Sequence, residues 1–267
     1  MKKILLTLSV ALIGLTTVPA QVLLNETFSY PDGPLTNVSG QVWVIHSGTT
    51  DLNVSGGAAF IDQNDTTAGR MDVNRLLSGS FDPATDNISK IYGSFTVNYS
   101  GLPVTGDSDG SYFAHLRSST ANEFYARIGS STSGAAAGLF RLAVANETWN
   151  VANTVEYPVD LQLNITYQVV FRLDLATDQT TIWVNPADES SLSVTAADVI
   201  SYSGSINAYA LRQGTSGTGA PGDLALDNLV VGQSFADVTT IVPEPSAYAL
   251  IGVGLVAFCF MRRFRRK

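Results

Sequence analysis

One short segment of this 267-residue chain combines residue types that could act as a nucleophile or bind a metal ion. The run Gly106–Gly110 (Gly-Asp-Ser-Asp-Gly) matches the Gly-x-Ser-x-Gly pattern, which needs a strand before it and a helix after it. Ser111–Arg117 alternates like a strand instead, so the pattern does not predict a catalytic triad. Asp107 and Asp109 offer the oxygen atoms that calcium prefers, and the alternative is a solvated hairpin loop without a metal.

The remaining chemistry-bearing residues give no recognisable catalytic set. A glycosidase needs two carboxylates that flank the scissile bond, and none of the five glutamates between residues 21 and 240 lies in a Glu-x-Asp-x-x-Glu pattern. Carboxylates from distant segments can still meet in a fold, so a carbohydrate-active enzyme is kept as the alternative to a non-enzymatic protein. The only cysteine, Cys259, lies near the C-terminus, which excludes disulfides and cysteine-ligated metals from the central region.

A set of polar and aromatic residues is predicted to share one face of a sheet. They lie opposite the apolar positions of their strands, and sugar binding uses aromatic platforms together with planar hydrogen-bond donors. The set consists of His115, Arg117, Tyr125, Arg127, Arg141 and Trp183. We expect weak binding of carbohydrate or extracellular matrix here, and the alternative is an ordinary exposed sheet face. No cofactor other than calcium is predicted.

Short strands of alternating polarity must position these residues. In Ile91–Tyr99 and Ile165–Leu175, apolar side chains recur at every second position, as in a strand with one buried face. Turn clusters rich in Gly, Pro, Asn and Asp separate about a dozen such segments, and only the termini show long apolar runs. The sequence therefore predicts an all-β fold, a two-sheet antiparallel β-sandwich (jelly roll), with a helix at each terminus.

Charge is distributed unevenly along the chain. Fifteen basic and 23 acidic residues give the whole chain a formal charge of −8. Seven of the basic residues lie in the first three or last six positions, so residues 21–240 hold 8 basic against 22 acidic residues, a formal charge of −14. This balance excludes a nucleic-acid binder, favours solubility outside the cell and argues against anionic partners.

The N-terminus is predicted to be a signal peptide spanning residues 1–20. Lys2 and Lys3 precede an apolar run, and Val18-Pro19-Ala20 fits a signal peptidase site with cleavage between Ala20 and Gln21. The alternatives are an uncleaved anchor or a buried helix. Export follows from the first interpretation, and the cysteine-free central domain, residues 21–240, suits an oxidising compartment.

The C-terminal segment, residues 241–267, is predicted to hold a single transmembrane helix over 246–261. That run has no charged residue, and a helix of its length is about 24 Å long, which is marginal for a hydrocarbon core of roughly 30 Å. A basic tail, 262–267, comes next and is expected to stay cytoplasmic, which places the central domain outside. The tail cations are Arg262, Arg263, Arg265, Arg266 and Lys267.

The C-terminus has three parts in order: Val242-Pro243-Glu244-Pro245, a short apolar helix and a terminal arginine cluster. Together they resemble the PEP-CTERM sorting signal of Gram-negative bacteria. The resemblance implies an exosortase-type membrane protease as a partner during export, with processing at the Pro-Glu-Pro motif. The protein would be held in the inner membrane transiently and then reach the cell surface or extracellular matrix. The alternative is a permanent single-pass anchor.

A second resemblance covers most of residues 21–238. Four segments carry it: NETFSYPDGPLTNVSG and QVWVIHSG near the start, and ALRQG and LDNLVVGQSFADV near the end. They resemble segments of concanavalin A-like lectin/glucanase (LamG-like jelly-roll) domains. This implies that the first and last strands are neighbours, but the fold hosts lectins, glycosidases and adhesion modules alike. The leading hypothesis is an exported, non-enzymatic sandwich that binds extracellular polysaccharide weakly. The alternatives are a glycosidase of the same fold and a purely structural matrix protein.

Overall fold

The computed structural model of the chain describes residues 21–49, 51–63, 70–82, 85–86, 89–104, 111–119, 123–198, 204–214 and 220–239. The expected signal peptide, the aspartates Asp107 and Asp109 and the whole C-terminal sorting segment lie outside the described residues. All of the described residues therefore belong to the central domain.

The first sheet, called sheet A, has nine strands. They are β1 Val22–Glu26, β2 Gly33–Pro34, β4 Asn53–Ser55, β5 Ala58–Ile61, β7 Lys90–Gly101, β12 Thr166–Asp174, β13 Gln179–Val184, β14 Ser193–Ala196 and β16 Asp223–Gly232. Their order is β14-β13-β12-β7-β16-β5-β4-β2, and β1 also pairs with β16. The first and last strands are therefore neighbours, as the jelly-roll resemblance implies.

The second sheet, sheet B, has seven strands. They are β3 Val44–Ser47, β6 Asp72–Phe81, β8 Ser111–Ser118, β9 Glu123–Ser131, β10 Arg141–Ala145, β11 Val155–Glu156 and β15 Ile206–Leu211. Their order is β11-β10-β9-β8-β15-β6-β3, and every pairing in both sheets is antiparallel. The predicted all-β, two-sheet antiparallel sandwich is confirmed.

Aromatic side chains from both sheets fill the space between them. Phe95 of sheet A meets Phe113 of sheet B with 6.1 Å between ring centroids, and Phe171 stacks on Tyr209 at 6.0 Å. Gly93 lies directly opposite Phe171 in the pairing of β7 with β12, and a Cβ there would overlap the phenyl ring. The absence of a side chain at Gly93 therefore leaves the space that the Phe171 ring occupies over the sheet.

A buried carboxylate ties the first strand to the core. Glu26 is 4% exposed and accepts hydrogen bonds from Trp43 Nε1 and Tyr30 Oη, both at 2.9 Å. It also accepts the Phe28 backbone N–H at 2.8 Å and pairs with the Arg75 guanidinium. Four donors satisfy one carboxylate here, which is the condition under which a buried charge is tolerated.

A short C-terminal helix covers the outer face of sheet A. The structure has helices α1 Leu35–Val38 and α2 Phe235–Thr239. Phe235 and Val238 of α2 pack on Trp183, Tyr92 and Val170, with 5.7 Å between the Phe235 and Trp183 ring centroids. The chain therefore leaves the domain from this face. Neither helix has the length of a membrane span, and the described residues contain no other candidate for one.

Candidate functional site

The face of sheet B that points away from the core carries an unusual set of side chains. Phe113 faces the core, because it contacts Phe95 of sheet A. Tyr112 and His115 point to the opposite side and contact each other at 5.3 Å between ring centroids. We call this side the outer face of sheet B.

Two irregularities in the pairing of β8 with β9 arrange these residues. The register shifts between Tyr112 and Ala114, and again between Ala114 and Leu116. On the facing strand, Ala126 has a positive φ of 50° and donates its N–H to the carbonyl of Asn146 outside the β8 ladder. A bulge of this kind inserts one residue and reverses the faces of those beyond it.

Three arginines and three aromatic residues form a compact group, here named the arginine–aromatic cluster. Its members are Arg117, Arg127, Arg212, Tyr112, Phe124 and Trp149. Two guanidinium groups contact the Tyr112 ring, with Cζ of Arg127 at 4.8 Å and Cζ of Arg212 at 4.5 Å from its centroid. Trp149 contacts the same ring at 5.8 Å. Such contacts orient the guanidinium groups. Arg212 also donates to the Ser111 hydroxyl at 2.7 Å.

Phe124 forms the second ring of the cluster. Cζ of Arg117 lies 5.7 Å and Cζ of Arg127 lies 5.4 Å from its centroid. Arg117 also donates to the side-chain oxygen of Asn74 at 2.8 Å. The Arg127 guanidinium therefore touches two aromatic rings and is held over both.

Both histidines of the domain lie beneath this cluster. His115 is 1% exposed and contacts Phe124 at 4.7 Å and His46 at 6.1 Å between ring centroids. Burial lowers the pKa of His115 well below its usual range, and burial together with the Arg117 charge lowers the pKa of His46 to about 4. At neutral pH both imidazoles are uncharged, so the positive charge of the cluster comes from the arginines.

Small residues make room for the large ones on this face. Ala143 and Ala145 of β10 and Ala208 and Ala210 of β15 flank the two strands that carry the cluster. Gly129 lies under the Trp149 indole, where a Cβ would overlap the ring. The floor is thus flat, and the aromatic rings and guanidinium groups lie directly against the sheet.

Carboxylates near the cluster are few. Asp72 lies 4.0 Å from Nε of Arg212, and burial raises the pKa of this aspartate. Glu147 and Asp198 act on Arg127 electrostatically, but within the described part of the chain neither forms an ion pair with it. The Asp198 carboxylate accepts three backbone N–H groups, from residues 146–148, and is therefore already partly satisfied.

The structure brings together four of the six residues predicted to form the ligand face. His115, Arg117 and Arg127 lie at its centre. Arg141 lies at its edge, where it pairs with Asp160 at 2.7 Å and Glu156 at 3.8 Å. His115 and Arg117 are buried within the face, at 1% and 4% exposed.

Tyr125 and Trp183 do not belong to this face. Tyr125 is fully buried in the core, because the bulge at Ala126 turns it away from the side that Arg127 occupies. Trp183 lies on sheet A, 2% exposed beneath α2. For the metal prediction, the described residues contain no group of three or more His, Cys, Asp or Glu side chains able to hold an ion.

Sequence reasoning does not select the other members of the face. His46 and Arg212 come from β3 and from just past β15. β15 is the neighbour of β8, and β3 lies two strands beyond β15, so only the strand order brings these residues to the same face. Trp149 lies in the connection after β10, which has no periodicity to interpret. Alternation along β8 could identify Tyr112 only if the shift between Tyr112 and Ala114 were visible in the sequence.

The end of the chain carries the clearest relationship to known proteins. Residues 242–266 match the PEP-CTERM protein-sorting motif. The chain carries a PEP-CTERM sorting signal. The match begins at Val242 and includes the Pro-Glu-Pro motif, the apolar run and most of the basic tail, as the sequence indicates.

Several solved structures are similar to the sandwich at low identity. The CBM2 module of the Lactobacillus casei BL23 phage J-1 evolved Dit is 10% identical, with 80% of this chain and 96% of that chain covered and a TM-score of 0.48. A mutant of alginate lyase Aly36B with alginate tetrasaccharide is 14% identical, with 82% and 98% covered and a TM-score of 0.49. Lectin II from Ulex europaeus is 13% identical, with 78% and 97% covered and a TM-score of 0.43. No curated protein matches the sequence.

Proposed function

We propose that this chain is an exported, non-enzymatic β-sandwich protein that is sorted to the cell envelope or extracellular matrix and binds polysaccharide there. Export uses the N-terminal signal peptide, and an exosortase-type protease acts on the PEP-CTERM signal. The polysaccharide is held on the outer face of sheet B. The PEP-CTERM motif supports the sorting step, and the arginine–aromatic cluster supports the binding step.

The observation that carries the binding proposal is that two guanidinium groups contact the Tyr112 ring on a face lined by small residues. Sugar rings present apolar C–H faces and a rim of hydroxyl groups. Aromatic side chains pack against the C–H faces, and planar N–H donors form hydrogen bonds with the hydroxyl groups. Trp149 at the margin of the same group extends the aromatic area toward the next sugar unit.

Binding fits this geometry better than catalysis does. His115 is the residue at the centre of the face whose side chain could act as an acid or a base. It is 1% exposed beneath its neighbours and is uncharged at neutral pH. A glycosidase needs two carboxylates across a sugar bond. Asp72 of this face is instead engaged by Arg212 and by the Ser47 hydroxyl at 2.9 Å.

A pair of tryptophan variants tests the proposal. We expect Trp149→Leu to weaken polysaccharide binding about tenfold, because an aromatic contact contributes up to about 1.5 kcal/mol beyond its buried area. Trp183→Leu is the matched control, since its indole lies beneath α2 on the other sheet. Binding of the full chain in mild detergent is measured by affinity electrophoresis in neutral and acidic polysaccharide gels, with thermal melts to verify folding.

Two results would contradict the proposal. One is that the folded full chain binds none of the gels. The other is that Trp183→Leu weakens binding as much as Trp149→Leu does, which would move the site to sheet A.

A further inference from the structure

We propose that the arginine–aromatic cluster selects acidic polysaccharides, whose uronic acid units carry carboxylates, over neutral ones. This inference rests on the proposed function and adds the ligand's chemical class. It also runs against the expectation from net charge, because a domain with a formal charge of −14 would ordinarily repel a polyanion.

The first support is where the cations of the domain lie. Only eight lysines and arginines occur between residues 21 and 240, and three of them meet on the outer face of sheet B. Arg75, Lys90, Arg141 and Arg172 form ion pairs with carboxylates elsewhere. Arg70 is buried and donates to backbone carbonyls. Within the cluster, Arg212 lies 4.0 Å from the Asp72 carboxylate. The cluster therefore brings three cations together beside one paired carboxylate on an otherwise acidic protein.

The second support is the state of Arg127. Its guanidinium contacts both the Tyr112 and the Phe124 ring, and its Nε is buried without a hydrogen-bond partner among the described residues. Within that part of the chain it has no ion pair either. A desolvated guanidinium without a carboxylate is costly, and a ligand carboxylate would satisfy it through the planar, bidentate geometry that arginine prefers.

The third support is distance. Screening at physiological ionic strength acts over about 8 Å. Cζ of Arg127 and Cζ of Arg212 lie 4.8 Å and 4.5 Å from the same ring centroid, so a group bound at the Tyr112 ring lies close to both cations. Asp72, 4.0 Å from Nε of Arg212, offsets part of this charge. Carboxylates farther away than the screening length act on the bound group weakly.

The aromatic part of the cluster narrows the ligand from any anion to an anionic sugar. Tyr112, Phe124 and Trp149 offer ring faces and edges beside the guanidinium groups. A free inorganic anion would use only the charge, whereas a uronic acid unit would use both.

Polygalacturonate and its fully methyl-esterified form give the sharpest test, because they share a backbone and differ only in the methyl ester that removes the carboxylate charge. We expect the full chain in mild detergent, at neutral pH and physiological salt, to bind the acid form about tenfold or more tightly in biolayer interferometry. Arg127→Gln and Arg212→Gln should each remove most of that preference. Arg172→Gln is the matched control, because it removes a guanidinium that lies 5.6 Å from the Trp183 ring on sheet A.

Folding of each variant is verified by its melting curve. If Arg127→Gln does not fold, Arg127→Lys replaces it, since lysine keeps the charge but loses the fork and should still reduce the preference. If both polymers bind equally tightly and Trp149→Leu weakens that binding, this inference is overturned and the proposed function stands. If the full chain binds neither polymer and none of the other polysaccharides tested, both this inference and the proposed function are contradicted. An equal loss in Arg172→Gln would show nonspecific charge binding and overturn the inference alone.

Discussion

Replacing Glu26 with alanine is expected to lower the free energy of unfolding by about 3–5 kcal/mol, the loss typical of breaking a buried ion pair. Glu26 is 4% exposed, and its carboxylate accepts four donors. Without it, the Trp43 Nε1–H loses its partner in the core, where Trp43 is fully buried, and the Arg75 guanidinium, whose side chain is 23% exposed, loses its ion pair. Buried donors left unsatisfied carry the full cost of desolvation. Urea unfolding of the full chain measures the change.

Two further variants make the test specific. Glu26→Gln keeps the side-chain volume but removes the charge and turns an amide toward groups that can only donate, so an intermediate loss is expected. Glu156→Ala is the matched control, because Glu156 also pairs with an arginine but is 29% exposed, and such pairs contribute about 1 kcal/mol or less. A loss in Glu26→Ala no larger than in Glu156→Ala would show that the buried carboxylate does not hold β1 in place.

The second large effect concerns the mature protein rather than its stability. We expect the exported form to end near Pro243–Pro245 and to begin at Gln21, because we propose that a signal peptidase and an exosortase-type protease remove the two terminal segments. This removes two cations from the N-terminus and five from the C-terminus, and changes the formal charge from −8 to −15, or to −14 if Glu244 is removed as well. Intact-mass spectrometry and isoelectric focusing of the protein recovered outside the cell measure both changes.

The structure adds a geometric condition to this processing. α2 ends at Thr239, docked on sheet A, and Val242 comes three residues later, a reach of about 10 Å. The protease must therefore act close to the folded domain. Glu244→Lys within the matched motif should leave the unprocessed chain in the membrane fraction. An exported protein whose mass includes Lys267 would contradict the processing.

The parts of the fold that sequence alone can predict are those with regular alternation. Ile91–Tyr99 and Ile165–Leu175 lie in β7 and β12 almost as expected. Alternation does not predict β6, Asp72–Phe81, because Arg75 occupies a core-facing position and pairs with Glu26, which breaks the apolar pattern. A buried ion pair of this kind looks like a solvent-facing residue until its partner is known.

The site is harder to predict than the fold for two physical reasons. A simple alternation places Tyr125 and Arg127 on the same face, but the positive φ at Ala126 puts them on opposite faces. A positive φ is usually predicted from a glycine, and this position is an alanine. Trp183 is expected from the sequence to face a ligand, and α2 covers it instead. Distant residues such as His46 and Arg212 join the site only through the strand order of sheet B, which no local pattern contains.

The central claim is that a saccharide occupies the outer face of sheet B, and a crystal structure of the chain with tetragalacturonate tests it most directly. The account predicts sugar rings against Tyr112 or Trp149, and a uronate carboxylate within hydrogen-bond distance of Arg127 or Arg212. A saccharide bound instead against Trp183 and α2 on sheet A, or an empty cluster at saturating ligand, would contradict it.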